Sequence, residues 1–282
     1  MTNHAVLTFT CRDMPGIVHA ISGAIVSLGG NITEQQQYAS PDTGTFFMRT
    51  QVECEAPAAE LAAALAPVRD RYGAKLVIDE VGRRTRTLIL ASTAPHAVDA
   101  LLARRRAGAL PIEVRRIVAN HADLAPHAEF YGVPFEHVAT PDAAGKAALE
   151  RRVRQAVAEE DIELVVLARF MQVLSPQLCE DLAGRIINIH HSFLPGFKGA
   201  NPYRQAHERG VKLIGATAHF VTADLDEGPI IEQSVVRVNH SKSPAQLREI
   251  GQDIESTTLA HAVRLFAEHR ILLDGIRTVI FD

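Results

Sequence analysis

Glu163-Leu164-Val165-Val166-Leu167-Ala168 and Ile186-Ile187-Asn188-Ile189-His190-His191 decide the fold of this chain. Both are short and almost continuously apolar, the pattern of strands buried on both faces of a helix-covered parallel sheet. Reading backwards, Phe135 to Val138, Val114 to Val118 and Leu88 to Ala91 repeat the pattern. Helical stretches at 96–106, 122–131, 145–160 and 175–183 separate these runs. Reading forwards, Ile214 to Val221 forms a further strand, and a long final helix from Pro244 to His269 packs on the sheet. Alternating strands and helices predict a largely parallel α/β domain. Ligands of such sheets sit beyond the carboxyl ends of the strands, where Asn188, His190 and the segment after Ala168 converge.

The basic segment Val81-Gly82-Arg83-Arg84-Thr85-Arg86 separates this pattern from a different one, so the expected domains are 1–82 and 83–282. Ala5, Leu7 and Phe9 alternate as in a half-buried strand, and Pro15 opens a helix with Ile17, Ile21, Ile25 and Leu28 on one face. A strand from Asn31 to Ala39 meets the turn Pro41-Asp42-Thr43-Gly44, and Phe46, Met48, Thr50 and Val52 share one side of the next. A helix from Pro57 to Pro67 and a strand from Ala74 to Ile78 complete a βαββαβ order, which is ferredoxin-like.

Composition sets limits. With 282 residues and 47% hydrophobic content the chain can build two cores. A net charge of −4, from 29 basic and 33 acidic residues, carries no electrostatic footprint for nucleic acid. No apolar run approaches the roughly 20 residues that span a membrane, and the first residues lack the features of a secretion signal. The 3 cysteines, Cys11, Cys54 and Cys179, suggest free thiols in a reducing cytoplasm, although Cys11 and Cys54 could be neighbours on adjacent strands.

Asn188 and His190, two apart on a strand, leave the same face. An amide there can donate to a developing oxyanion, and an imidazole can donate a proton or polarise the same carbonyl. Asp226, in the turn Leu225-Asp226-Glu227-Gly228-Pro229, could orient His190, hold its charged form and position a water. Taken singly, each has a structural reading, as a hydrogen-bonded strand-end histidine or an ordinary turn.

Asn188-Ile189-His190-x-Ser192-x-Leu194-Pro195, Gly199, Gly215-Ala216-Thr217 and Leu225-Asp226-x-Gly228-Pro229 together resemble the folate-dependent formyltransferase superfamily. The resemblance implies that Asn188, His190 and Asp226 are the catalytic trio. It also implies that Phe170, Met171, Gln172, Val173 and Leu174 enclose the pterin ring of the folate, and that Thr222, Ala223, Asp224 and Leu225 complete the pocket. Phe170, Met171 and Leu174 could equally be core residues of a crossover. His191 fits a second histidine of the family pattern. His219 is a candidate donor near Asp226 or a buried structural histidine. Tyr203 lies in the loop of Gly199-Ala200-Asn201-Pro202-Tyr203.

The acceptor of the formyl group is narrowed by the turn Ala91-Ser92-Thr93-Ala94-Pro95-His96, which has no glycine and loses an amide donor at Pro95. A phosphate cradle of the kind that holds glycinamide ribonucleotide is not expected there. Only about fifty residues follow Gly228, leaving no room for a tRNA-binding domain. Water then remains as acceptor. Over its whole length the chain resembles the formyltetrahydrofolate deformylases, with His190-His191-Ser192-Phe193-Leu194-Pro195 and Gly215-Ala216-Thr217-Ala218-His219. This implies hydrolysis of 10-formyltetrahydrofolate to formate and tetrahydrofolate, balancing one-carbon pools and supplying formate for purine and IMP biosynthesis. The folate is then substrate, and no cofactor or metal is expected. The alternatives are a formyltransferase with another acceptor or a non-enzymatic regulator responding to amino acids or folate. Metal-assisted hydrolysis by His190, His191, His219, Asp226 and His240 is disfavoured, since adjacent strand histidines point to opposite faces. No Gly-x-Gly-x-x-Gly follows a strand to bind a dinucleotide.

Arg12-Asp13-Met14-Pro15-Gly16-Ile17, with Asn31-Ile32 at the next strand, resembles an ACT domain. This implies an amino-acid effector site at Asp13, Pro15, Gly16, Ile17, Asn31 and Ile32, or an oligomerising role alone; either way a homo-oligomer is expected. The free amides of a first helical turn suit a carboxylate, but Asp13 could instead cap the helix and Pro15 pre-set its turn.

Overall fold

The computed structural model describes residues 2–194 and 202–282. The chain forms two compact units, Met1–Arg83 with Glu268–Asp282, and Arg84–Ala267. In the first, β1 (Asn3–Arg12), α1 (Ile17–Ser27), β2 (Asn31–Ala39), β3 (Thr45–Cys54), α2 (Ala58–Tyr72) and β4 (Lys75–Glu80) follow the expected βαββαβ order. The sheet runs β2-β3-β1-β4 with every pair antiparallel, so β3 slots between β1 and β2 as in a ferredoxin-like sheet. Leu7, Phe9 and Met48 meet Ile17, Ile21, Ile25, Leu61 and Leu65 in one core.

Three details of this unit differ from expectation. Helix α2 continues through Pro67 to Tyr72, because Leu61, Leu65 and Tyr72 are buried and Tyr72 packs edge-on to Phe9. That burial outweighs the roughly 3 kcal/mol a proline costs inside a helix. Asp13 does not cap α1: Gly16 is its N-cap, at φ 92, with no side-chain hydrogen bond. Cys11 and Cys54 are not neighbours, since Cys11 stands opposite Phe46 and Cys54 opposite Asn3, at the two ends of the β1–β3 ladder. All three cysteines are free and buried.

The second unit contains β5 (Thr85–Ala91), α3 (His96–Arg106), β6 (Ile112–Ala119), α4 (Ala125–Phe130), β7 (Phe135–His137), α5 (Ala143–Glu159), β8 (Leu164–Ala168) and α6 (Pro176–Asp181). Then come β9 (Ile186–His190), α7 (Pro202–Glu208), β10 (Leu213–Phe220), β11 (Ile230–Arg237) and α8 (Pro244–Ala267). Its sheet order is β11-β10-β9-β8-β5-β6-β7. Strands β7 to β9 along this row are parallel, while β9–β10 and β10–β11 are antiparallel. Every residue of β8 is buried, as its unbroken apolar run required. Strand order reverses between β5 and β8, which places a crevice at their carboxyl ends. No described helix is long and apolar enough to cross a membrane.

The expectation that the second domain runs to residue 282 is corrected. After α8 the chain returns to the first unit as a hairpin, β12 (Ile271–Asp274) and β13 (Arg277–Ile280). Leu272 and Phe281 bury against Phe47, on the opposite side of β3 from Met48. Ser40 and Thr43 each donate to Asp274 at 2.7 Å.

Candidate active site

Strand β9 delivers Asn188 and His190 to the carboxyl edge of the sheet, and the turn between β10 and β11 brings Asp226 to them. Asp226 Oδ2 lies 3.3 Å from His190 Nδ1, and Oδ1 lies 3.7 Å from His219 Nε2. His219 stands opposite Asn188 in the β9–β10 ladder. Its Nδ1 donates to the Phe220 carbonyl at 2.8 Å, so its Nε2 is left as the acceptor for Asn188 Nδ2 at 3.1 Å. His219 therefore orients the amide of Asn188, whose second N–H has the chemistry to donate to a developing oxyanion. The hydrogen bond from His190 holds the Asp226 carboxyl well below the usual range, against the opposing effect of burial.

The turn is shaped to do this. Phe220 N–H donates to the Pro229 carbonyl at 2.9 Å and closes the loop. A Cβ on Gly228 would lie 1.8 Å from the Phe220 carbonyl oxygen, so only glycine fits there. Asp226 itself sits at φ 58; Arg169 at φ 61 and Met171 at φ 58 share the left-handed conformation, and all three line the same cavity. Such strain in non-glycine residues concentrates at functional sites.

That cavity, of about 250 Å³, collects every residue expected to hold folate, from Phe170 to Leu174 and from Thr222 to Leu225, together with Asn188, His190, His191, His219 and Asp226. Phe170 and Leu174 also bury in the core, so the core reading holds for their side chains, whereas Met171, Val173 and Leu225 are exposed. Gly199 and Pro195 lie outside the described residues. Among the described residues no three His, Cys, Asp or Glu side chains are placed to hold a metal ion.

His191 departs from expectation. Strand β9 ends at His190, and the next ring turns back to stack on it, with centroids 4.9 Å apart and planes at 17°. Arg169 Nη1 donates to His191 Nδ1 at 2.8 Å, and Arg169 Nε lies 3.4 Å from Glu255 Oε2. Glu255, on α8 and 1% exposed, also receives His96 at 2.8 Å and the Tyr203 hydroxyl at 2.6 Å. Burial raises the Glu255 carboxyl, but His96, Arg169 and Tyr203 together hold it below its ordinary value. Burial and then Glu255 push the Tyr203 phenol upward. His96 opens α3 after β5 and Arg169 follows β8, so this carboxylate joins the two loops at the strand reversal.

A model of the family described as formyl transferase matches residues 85–263. A formyltetrahydrofolate deformylase of Corynebacterium sp. (strain P-1) is 44% identical over 280 residues, covering 98% of this chain and 97% of its own. The chain belongs to the formyl transferase family. Within it, the likeness to deformylases extends over the whole length. The crystal structure of formyltetrahydrofolate deformylase from Burkholderia mallei ATCC 23344 superposes with a TM-score of 0.96 at 45% identity, covering 99% of this chain and 100% of that one. Glycinamide ribonucleotide transformylase 1 of Symbiobacterium toebii covers 72% of this chain and 97% of its own, with 34% identity and a TM-score of 0.66. Arg169, His96 and Glu255 were missed in the sequence. A buried Glu on a long helix, Ile254-Glu255 within an apolar stripe, is the one signal that could have pointed to them.

In the first unit, Asp13, Pro15, Gly16 and Asn31 are exposed and Ile32 half-buried, while the Ile17 side chain turns into the core. The Tyr72 hydroxyl, 3.2 Å from where a Gly16 Cβ would stand, is buried without a hydrogen-bond partner.

Proposed function

We propose that this chain hydrolyses 10-formyltetrahydrofolate to formate and tetrahydrofolate. The observation that carries the reading is the contact of Asp226 with His190, beside Asn188, in a cavity that both segments expected to hold folate line. Full-length likeness to deformylases, rather than to the shorter transformylases, favours water as the acceptor. Exposed Met171, Val173 and Leu225 suit a flat heterocycle.

Asp226, kept ionised, orients His190 through Nδ1 and stabilises its charged form. His190 Nε2 is buried and without a partner, so it is free to receive a proton from the attacking water. The water oxygen bonds to the formyl carbon, and the resulting oxyanion faces the Asn188 amide. Collapse breaks the carbon–nitrogen bond, His190 returns its proton to the nitrogen, and the formic acid so formed releases its remaining proton to solvent and departs as formate. No cofactor enters these steps. The enzyme would work in a reducing cytoplasm, where the free cysteines persist, and supply formate for purine synthesis.

The first unit is read as an ACT domain. Its candidate effector site is the α1 N-terminus, where Gly16 permits close approach to the backbone amides and the Tyr72 hydroxyl has no partner. Pairing of copies through this unit is expected.

The test is incubation with 10-formyltetrahydrofolate and no acceptor, following formate and tetrahydrofolate. Wild type releases both. Asp226→Asn folds and binds the folate but loses at least about a thousandfold in kcat, since an amide cannot stabilise charged His190. Near-wild-type turnover by that variant rejects the assignment.

A further inference from the structure

Two imidazoles lie stacked at the heart of this site, and the chemistry above uses one. Stacked rings at 4.9 Å cannot comfortably both carry charge, so something must decide which of them takes a proton. The groups facing His191 are Arg169 from the loop after β8, His190 and Asp226 at the reaction centre, and Glu255 of α8, with His96 of α3 and Tyr203 of α7 behind it.

A guanidinium has no lone pair to offer and stays protonated, so in the 2.8 Å contact Arg169 donates and His191 Nδ1 accepts. That occupies the lone pair through which His191 would be protonated. Its single proton then sits on Nε2, a buried atom with no hydrogen-bond partner in the protein. For His190 the situation is the reverse. Asp226 faces its Nδ1, which must carry hydrogen, and the buried, unpartnered Nε2 keeps the lone pair. The stack therefore pairs one ring that can accept a proton with one that cannot. Arg169 is in turn held by Glu255, which has two further partners and is 1% exposed.

We propose that Arg169 is a positioning residue for hydrolysis: by donating to His191 Nδ1 it fixes His191 as a neutral Nε2–H imidazole and leaves His190 as the member of the pair that takes up and returns the proton. Burial, with Arg169 and His190 as further causes, lowers His191 to about 4, in line with this assignment. The inference rests on the hydrolase reading for its consequence, though not for its geometry.

The test is imidazole nitrogen NMR on the full chain, wild type and Arg169→Met, alongside pH profiles of kcat. Wild-type His191 is expected as the neutral Nε2–H tautomer down to about pH 5. In Arg169→Met it titrates at least about one pH unit higher, the acid limb of kcat moves up with it, and kcat falls about tenfold with a smaller change in KM. Arg169→Lys, which keeps a charge and a donor, restores part of the profile. An Nδ1–H tautomer in wild type, or an unmoved acid limb in Arg169→Met, overturns the proposal. If Arg169→Met does not fold, the wild-type tautomer decides alone. Formate release with the wrong tautomer rejects this proposal only, whereas the right tautomer without formate release rejects the hydrolase reading and the role of Arg169 in it.

Discussion

Each unit of this protein sets a guanidinium against a glutamate, and the two clusters are built differently. In the first unit Arg49, 3% exposed, lies on the regular strand β3 and meets Glu34 at 2.9 Å and the Glu268 carbonyl at 3.2 Å. Arg270 joins the same Glu34 carboxylate at 3.3 Å. Arg49 has no unsatisfied buried nitrogen. In the second unit Arg169 has a left-handed backbone, its Nε lacks a hydrogen bond, and both histidines beyond it present an unpartnered nitrogen. A cluster that holds structure is saturated and relaxed. One proposed to serve chemistry keeps open hydrogen-bonding capacity and carries strain, as expected where substrate and water are to complete it.

Substitutions can break that contrast. After Asp226→Asn, the next largest effect on turnover is expected from Asn188→Ala, which removes the proposed oxyanion donor: kcat should fall about 100- to 1,000-fold while folate binding, read by titration, changes little. Arg49→Met should do the opposite. It leaves Glu34 half-buried with only its outer partners, so thermal or urea unfolding should show a loss of about 2–4 kcal/mol with kcat per folded molecule unchanged. If Arg49→Met lowers kcat at full occupancy of the folded state, the division between structural and chemical clusters fails. The smallest effect is in pH dependence. His191 is lowered from 6.5 to about 4 in the folded protein, so below pH 6.5 the unfolded chain binds the extra proton first. Stability should decline as pH falls from about 6.5 to 4, by about 3 kcal/mol at most, and His191→Asn should flatten this part of the profile in denaturant titrations.

The parts of the molecule written in local pattern were legible. Unbroken apolar runs gave β8 and β9, and the two-residue spacing of Asn188 and His190 put them on one side of a strand. Asp226 was legible as the polar residue of a glycine-proline turn. What was hidden depends on long-range pairing. Nothing near Arg169 says that it will meet His191 and a glutamate on α8, and the alternation rule misplaced His191 because the strand stops one residue before it. Pro67 looked like a helix end, since the burial of Tyr72 against Phe9 is tertiary. Strand β11 was missed altogether. The closing hairpin escaped notice although Asp274-Gly275, flanked by apolar residues, is a hairpin signal.

That hairpin has a consequence for how the chain is made. Because Glu268–Asp282 belongs with Met1–Arg83, the second unit is an insertion within the first. During synthesis the sheet of β1 to β4 emerges early, yet Phe47 stays uncovered by Leu272 and Phe281 until the ribosome has finished the entire catalytic unit. The unit opened by β1 to β4 is thus completed only after the unit inserted within it has been translated.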